Sequence, residues 1–171
     1  MTRVLGVDPG LHETGWAVLD GAATPPRLVA AGVIRTLPGV LLPERLRTLH
    51  AELSAVIAEH APDSCAMEEM FFTTIATTVR ATLQARGVAL LAVAQSGREV
   101  HEYNPRAVKL ALTGSGRAEK AQMQTVVQKA LGHSEKLRPN DVADAAAIAL
   151  CHLRAGRGKG LRVLDAWGGR R

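Results

Sequence analysis

The order of its local patterns is the feature that most constrains what this chain can fold into. Three short apolar segments come first, separated by clusters of Pro, Gly and Asp that indicate turns. Two further strand-like segments follow, and helical patterns alternate with them and continue after the second. Strands that come first and then alternate with helices predict an α/β fold, with a five-stranded mixed sheet flanked by helices on both faces.

The patterns also predict where each element begins and ends. Strands are expected at residues 3–7, 14–19, 27–34, 64–72 and 99–103. Helices are expected at residues 43–60, 75–96, 105–112, 118–131 and 140–153, with Gly87 as a candidate break in the second. At 171 residues the chain fits one domain. We assign residues 1–153 to that domain and expect residues 154–171 to form a basic, Gly-rich, flexible tail.

The charge of the chain favours a polyanionic partner. Lys and Arg number 21 against 16 Asp and Glu, which gives a net charge of +5, and basic residues are concentrated in the tail. The tail is either a solvated segment or an electrostatic tether to nucleic acid. No stretch is apolar for long enough to cross a membrane or resembles a secretory signal, so we expect a cytosolic protein without a membrane partner. Cys65 and Cys151 lie in apolar segments and are expected to be buried free thiols.

Three groups of acidic residues are candidates for chemistry. Asp8 ends an apolar strand and precedes Pro-Gly, which a simple turn carboxylate would also do. Glu68 and Glu69 end a second strand. Because adjacent strand residues face opposite ways, only one of them should enter a shared site, and geometry alone leaves the choice open. Asp141 and Asp144 share one face of a helix, where acidic residues in the first turn also favour the helix dipole.

Carboxylates brought together from these groups need cations. The helix that carries Asp141 and Asp144 is small or apolar almost all round, so we expect it to pack against the sheet and carry both acids inward. Ionised carboxylates repel one another and burial raises their pKa, which makes Mg²⁺ or Mn²⁺ the natural partner of an all-oxygen site. Two such ions about 3.5–4 Å apart activate a water and neutralise the leaving oxygen of a phosphodiester. A basic protein with an acidic pocket therefore suggests a nuclease.

Four segments resemble the ordered motifs of one family. LGVDPGLHETGWAV, AMEEMFF, EYNPRAVKLALTGSGRAEKAQMQ and NDVADAAAIA are similar, in order and spacing, to the motifs of the RuvC family of Holliday junction resolvases. The resemblance spans residues 3–153 and implies a ribonuclease H-like fold. It further implies a bacterial, cytoplasmic, nucleoid-associated homodimer that nicks two opposed strands of four-way junction DNA, with residues 75–96 forming much of the dimer interface. The RuvA–RuvB branch-migration complex is implied as a partner.

The resemblance also assigns roles to individual residues. It implies that the catalytic, metal-binding acids are Asp8, Glu68, Asp141 and Asp144. The implied cofactor is Mg²⁺ or Mn²⁺, with two ions per subunit. This choice between the adjacent glutamates leaves Glu69 a minor or electrostatic role. His12, in the turn after Asp8, is interpreted as an exposed residue and not as a ligand.

The family also has an aromatic residue and two lysines beside the active site that contact DNA. Phe71 matches the aromatic, and Lys109 and Lys120 match the lysines. From the residues themselves, a core aromatic and exposed helix lysines are the alternatives. The arginines predicted to extend this DNA-binding surface are Arg80, Arg86, Arg106 and Arg117.

Three other functions fit parts of the sequence. A phosphate-binding ATPase of the actin and sugar-kinase type has a similar opening motif but needs two such domains, and this chain has room for one. A module that holds junctions or structured RNA without cutting them would not need all four acids. A ribosomal RNA-processing relative of the same fold shares the opening motif but is usually shorter and lacks LTGSGRAEK.

Overall fold

The computed structural model of the chain describes residues 3–69 and 77–157. The strands are β1 (Arg3–Asp8), β2 (Glu13–Asp20), β3 (Arg27–Arg35), β4 (Ser64–Glu68) and β5 (Glu99–Tyr103). The helices are α1 (Leu42–His60), α2 (Thr77–Gln95), α3 (Pro105–Thr113), α4 (Lys120–Ala130) and α5 (Asn140–Arg157). The described residues therefore contain the strands and helices that the sequence predicts.

The strands form one mixed sheet in the order β3-β2-β1-β4-β5. β2 pairs antiparallel with β1 and β3, whereas β4 pairs parallel with β1 and β5. β1 is therefore central, and its residues Val4, Leu5 and Val7 are completely buried. Because β1 and β4 are parallel, their carboxyl ends, Asp8 and Glu68, lie at the same edge of the sheet.

Helices pack on both faces of the sheet, as predicted. Alternate residues of β1 point to opposite faces. Val4 belongs to the core shared with α3, α4 and α5, and Leu5 and Val7 belong to the core shared with α1 and α2. Close packing on both sides holds the strand ends that carry the acidic residues in fixed positions.

α5 lies close to the sheet because two glycines face it. A Cβ atom on Gly6 would lie 2.0 Å from the carbonyl oxygen of Ala145, and a Cβ atom on Gly15 would lie 2.1 Å from that of Asp141. Only glycine allows a backbone to approach this closely. The two contacts seat the first turns of α5 across β1 and β2, next to the end of β1.

Three helices differ from the predictions by more than one residue. α2 is continuous across Gly87, so the predicted break is wrong. Gly87 lies on the exposed side of a helix whose opposite side is in the core, and one glycine costs a helix only about 1 kcal/mol. α4 begins at Lys120, slightly later than predicted. α5 extends to Arg157, and within this extension Arg154 Nη1 donates to the carbonyl of Ala111 at 2.9 Å.

The two cysteines are buried free thiols, as predicted, and burial raises the pKa of Cys65 to about 12.

Among the helices in the described parts of the chain, none has the length and apolar character needed to span a bilayer. The predictions for Phe71, for the end of the fourth strand beyond Glu69 and for most of the tail concern residues 70–76 and 158–171, which lie outside the described residues.

Candidate active site

The acids predicted to be catalytic lie at one edge of the sheet. Asp8 ends β1, and the parallel register of β1 and β4 places Glu68 beside it. α5 begins over the same edge and brings Asp141 and Asp144 with its first turns. One carboxylate oxygen from each of Asp8, Asp141 and Asp144 lies within 4.8 Å of the other two. These three side chains are close enough together to ligate one metal ion.

Glu68 lies next to this three-acid cluster. Its negative charge raises the pKa of Asp8, and the negative charge of Asp144 raises the pKa of Glu68. Glu69 lies near Arg86 of α2, where its charge opposes the fall in the pKa of Arg86 that burial causes. Its backbone N–H donates to the carbonyl of Tyr103 at 2.8 Å. The structure thus places Glu68, and not its neighbour, beside the other acids, as the alternation of side chains along a strand requires.

The acids at this edge hold protons more tightly than free carboxyl groups do. Burial is the largest cause of the rise in the pKa of Asp8 from 3.8 to about 7. The neighbouring negative charges add to the rise, in the order Asp144, Glu68, Asp141, and the charge of Lys120 opposes it. Burial, followed by the charge of Asp144, also raises the pKa of Glu68. A cation would relieve this repulsion, and an all-oxygen set of ligands suits Mg²⁺ or Mn²⁺.

Asp141 is tied to Glu13, a residue that the sequence analysis did not single out. Burial is the first cause of the raised pKa of Asp141, and a hydrogen bond to Glu13 is the second. Glu13 accepts a hydrogen bond from Arg35 Nε at 2.8 Å, which lowers the pKa of Glu13. The hairpin register, which pairs Asp8 with Gly15, is the signal that could have placed Glu13 near the site.

Two lysines predicted to bind DNA lie against the acids. Lys120 Nζ is 2.8 Å from Asp144 Oδ2, and this hydrogen bond raises the pKa of Lys120. The charge of Lys109 acts on Glu68 and opposes the rise in its pKa. All four side chains line a cavity of about 250 Å³. The apolar residues that complete its lining include Val108, Met123, Ala147 and Ile148. The cavity thus has the two lysines on its lining next to Glu68 and Asp144. This arrangement suits a phosphodiester next to a metal ion.

The predicted arginines differ in their surroundings. Arg117 is exposed in the loop between α3 and α4, and Arg80 and Arg106 are exposed on α2 and α3. Arg86 instead forms an ion pair with Glu102 of β5, and its side chain is only 15% exposed. It therefore does not extend the exposed basic surface.

A single family model covers this whole site. The model of the family described as crossover junction endodeoxyribonuclease RuvC matches residues 4–152, which include all four acids and both lysines. The chain belongs to the RuvC family. The actin-type ATPase and ribosomal RNA-processing alternatives are therefore set aside.

RuvC relatives resemble the chain over most of its length. The crossover junction endodeoxyribonuclease RuvC of Chloroflexus aggregans is 48% identical over 150 residues, which make up 88% of this chain and 92% of the relative. The Thermus thermophilus RuvC structure matches with a TM-score of 0.83 at 34% identity and covers 91% of this chain and 96% of that one. T. thermophilus RuvC in complex with Holliday junction substrate matches with a TM-score of 0.82 at 33% identity, covering 92% and 96%. The ribonuclease H-like fold implied by the sequence motifs is thereby confirmed.

Proposed function

We propose that this RuvC-family endonuclease hydrolyses the DNA backbone, as it resolves a Holliday junction, with the acids Asp8, Glu68, Asp141 and Asp144. Family membership makes the chain a metal-dependent crossover junction endodeoxyribonuclease. The observation that carries the residue assignment is the approach of three of these acids to within 4.8 Å of one another. Within residues 3–69 and 77–157, no other three His, Cys, Asp or Glu side chains come together in this way.

The proposed cofactor is Mg²⁺ or Mn²⁺, with two ions in each subunit. Ions held by these carboxylates would activate the attacking water and stabilise the leaving oxygen of the cut strand. The charges of Asp144, Glu68 and Asp141 all raise the pKa of Asp8, so we assign Asp8 as the ligand shared by both ions. Lys120 neutralises Asp144 in this structure, and a metal ion on that carboxylate would leave the ammonium group available to a DNA phosphate.

The DNA-binding residues are proposed on their positions around the acids. Lys109 and Lys120 line the cavity beside Glu68 and are assigned to phosphates next to the cut, contacts that position a strand without reading its sequence. Arg117 is exposed in the loop that precedes α4, and we assign it with Arg80 to the outer part of the basic surface. Phe71, outside the described residues, stays assigned to an unstacked base at the crossover.

A comparison of two substrates tests the proposed function. In Mg²⁺ or Mn²⁺ the protein is expected to introduce paired, symmetric nicks into a synthetic four-way junction and to leave a linear duplex of the same sequence uncut. The measurement is the rate of product formation from each labelled DNA under identical conditions. Equal rates on the two substrates would show a general nuclease and contradict the proposal.

α2 carries the surface that we propose for homodimerisation. Leu83 and Leu91 are 40% and 50% exposed, and Gly87 lies between them on the same exposed face. The three residues follow one another at intervals of one helical turn, so they form an apolar stripe that faces away from the core. The same stripe from a second copy would cover it in a two-fold dimer, which would offer one active site to each of two symmetry-related strands.

Leu91→Arg is expected to convert the dimer into a monomer. The substitution would bury a guanidinium group without a partner at the subunit interface, so we expect dimerisation to weaken at least about 100-fold, equivalent to about 2.7 kcal/mol. Sedimentation of both proteins over a range of concentrations measures the change. Leu37→Arg, which alters a leucine that is 69% exposed in the loop before α1, is the matched control and should remain dimeric. An unchanged dimer in the Leu91 variant would place the interface elsewhere.

Two further proposals rest on the family alone. They are a partnership with the RuvA–RuvB complex and an association with the bacterial nucleoid. A third, a nuclease domain followed by a basic, Gly-rich tail, rests on the composition of the chain. Because α5 continues to Arg157 and Arg154 donates to the carbonyl of Ala111, the proposed tail begins after Arg157 and not at residue 154. This tail would be either solvated or bound to DNA, because its Arg and Lys side chains are interspersed with glycine.

A further inference from the structure

Three buried polar side chains in the described residues surround one turn. They are Thr14, Thr36 and Arg45, and each binds the backbone of residues 9–12, which we call the β1–β2 turn. This turn directly follows Asp8 and leads into Glu13. Buried polar groups are costly unless they are hydrogen-bonded, so their concentration at one turn indicates that the position of this turn is closely controlled.

Arg45, in the first half of α1, contacts two consecutive residues of the turn. Its Nη2 donates to the carbonyl oxygen of Leu11 and to Nδ1 of His12, each at 3.1 Å. Its Nε donates to Thr36 Oγ1 at 2.8 Å, and the Thr36 hydroxyl in turn donates to the carbonyl of Leu11. The planar guanidinium group thus binds the turn directly and also through Thr36, which follows β3. The single ammonium group of a lysine cannot make both sets of contacts.

The other two residues hold the turn from its remaining sides. The hydroxyl of Thr14 donates to the carbonyl of Gly10 at 2.7 Å, and the backbone N–H of Thr36 donates to the carbonyl of His12 at 3.1 Å. Leu11 itself is buried in the core shared with α1 and α2. The turn is therefore anchored at three consecutive residues, by contacts with β2, with Thr36 just after β3 and with α1.

The turn connects this anchorage to the acidic site. Asp8 immediately precedes the turn, and Glu13, which immediately follows it, lies near Asp141 and raises the pKa of that residue. A guanidinium group that is 9% exposed would be expected to pair with a carboxylate, yet Arg45 forms no ion pair within residues 3–69 and 77–157. Its N–H groups instead donate to the carbonyl oxygen of Leu11, to Nδ1 of His12 and to Oγ1 of Thr36.

We propose that Arg45 is a positioning residue for the metal site. By fixing the β1–β2 turn it sets the place of the Asp8 carboxylate, so that this group meets those of Asp141 and Asp144 at ligand distance. The inference rests on the proposed function, because it takes these acids to be metal ligands. The hydrogen bonds of Arg45 reach Thr36, Leu11 and His12 and none of these acids, so Arg45 acts through the turn.

Metal binding by the DNA-free protein tests the proposal. Free Mn²⁺ is measured by electron paramagnetic resonance during titration of the full chain and of four variants, which are Arg45→Lys, Arg45→Met, Arg47→Met and Asp8→Asn. We expect the dissociation constant for Mn²⁺ to rise at least about tenfold in both Arg45 variants, the usual scale for residues that orient metal ligands. Arg47, whose side chain is 78% exposed on the same helix, should bind Mn²⁺ normally after substitution.

Two further readouts separate positioning from general loss of structure. Saturating Mn²⁺ should restore most junction cleavage to Arg45→Lys, and its junction affinity in Ca²⁺ should match that of the unmodified protein, whereas an unfolded fraction would lose both. Arg45→Lys keeps the charge, so it remains informative if Arg45→Met fails to fold. Normal Mn²⁺ binding by folded Arg45→Lys, alongside its loss in Asp8→Asn, would overturn the positioning role alone. Unchanged Mn²⁺ binding by Asp8→Asn would instead overturn the proposed metal site.

Discussion

Replacement of Asp8 by asparagine is expected to slow junction cleavage at least about 1,000-fold, equivalent to about 4 kcal/mol of transition-state stabilisation. Asparagine keeps the size of the side chain but removes the charge that a hard divalent ion needs, and Asp8 is the acid that the others surround. Junction binding should persist, because the basic residues are intact and one negative charge near the phosphates is gone. Cleavage of a labelled four-way junction in Mn²⁺ measures the first effect, and a gel shift in Ca²⁺ measures the second.

Glu52→Gln is the control for this experiment. Glu52 is exposed on α1, so its substitution removes the same unit of charge on the far side of the sheet from α5. This variant should cut at the unmodified rate. Undiminished cutting by Asp8→Asn would refute its assignment as a metal ligand, and loss of junction binding would contradict a role confined to the chemical step.

The second large effect is expected in the stability of the metal-free protein. The pKa of Asp8 is about 7 in the folded protein and 3.8 when the group is free, so between these pH values the folded state keeps a proton that the unfolded chain has lost. The unfolded state then binds fewer protons, and the contribution of Asp8 to the free energy of unfolding falls as the pH rises from about 4 to about 7. The total loss is of the order of a few kcal/mol.

The effect is isolated by comparing the protein with Asp8→Asn in the presence of a chelator. His152 acts in the opposite sense, because burial, and then the charge of His101, lower its pKa from 6.5 to about 4, and this group stabilises the fold as the pH rises through that window. Both proteins share His152, so the difference between their urea unfolding curves reports Asp8. Asp8→Asn should become progressively more stable than the parent from pH 4 to 7, and Mn²⁺ should reverse the order at pH 7.5. A difference that does not change with pH would contradict the raised pKa.

Much of the candidate site was predictable from local patterns. Asp8 stands out because it ends a run of buried strand residues, and Asp141 and Asp144 stand out because a spacing of three places them on one helix face. The choice of Glu68 came from the resemblance to a family motif. The structure gives the physical reason for this choice, because Glu68 lies next to the other acids whereas Glu69 lies near Arg86.

Other features of the site could not be predicted from the sequence, because they depend on contacts between distant parts of the chain. Arg45 binds a carbonyl 34 residues away, and it appears in the sequence as one more charged residue on an amphipathic helix. The same is true of Glu13. Its position at the start of a strand is typical of a solvated residue, but the hairpin brings it near Asp141 of α5. The predicted break at Gly87 failed for the same reason, because packing of the opposite helix face outweighs a local preference.

The sequence by itself determined the order of the elements, the mixed sheet and the three places where acids end a strand or begin a helix. These follow from backbone periodicities of about 2 and 3.6 residues, which a few neighbouring side chains reveal. Only the tertiary structure decided how far apart the acids lie and how strongly they hold protons. Those quantities depend on how closely α5 approaches β1 and β2, on which of two adjacent glutamates faces inward, and on the buried arginine that anchors the turn after Asp8. Each is set by packing between segments that are distant in the chain, so no local pattern encodes it.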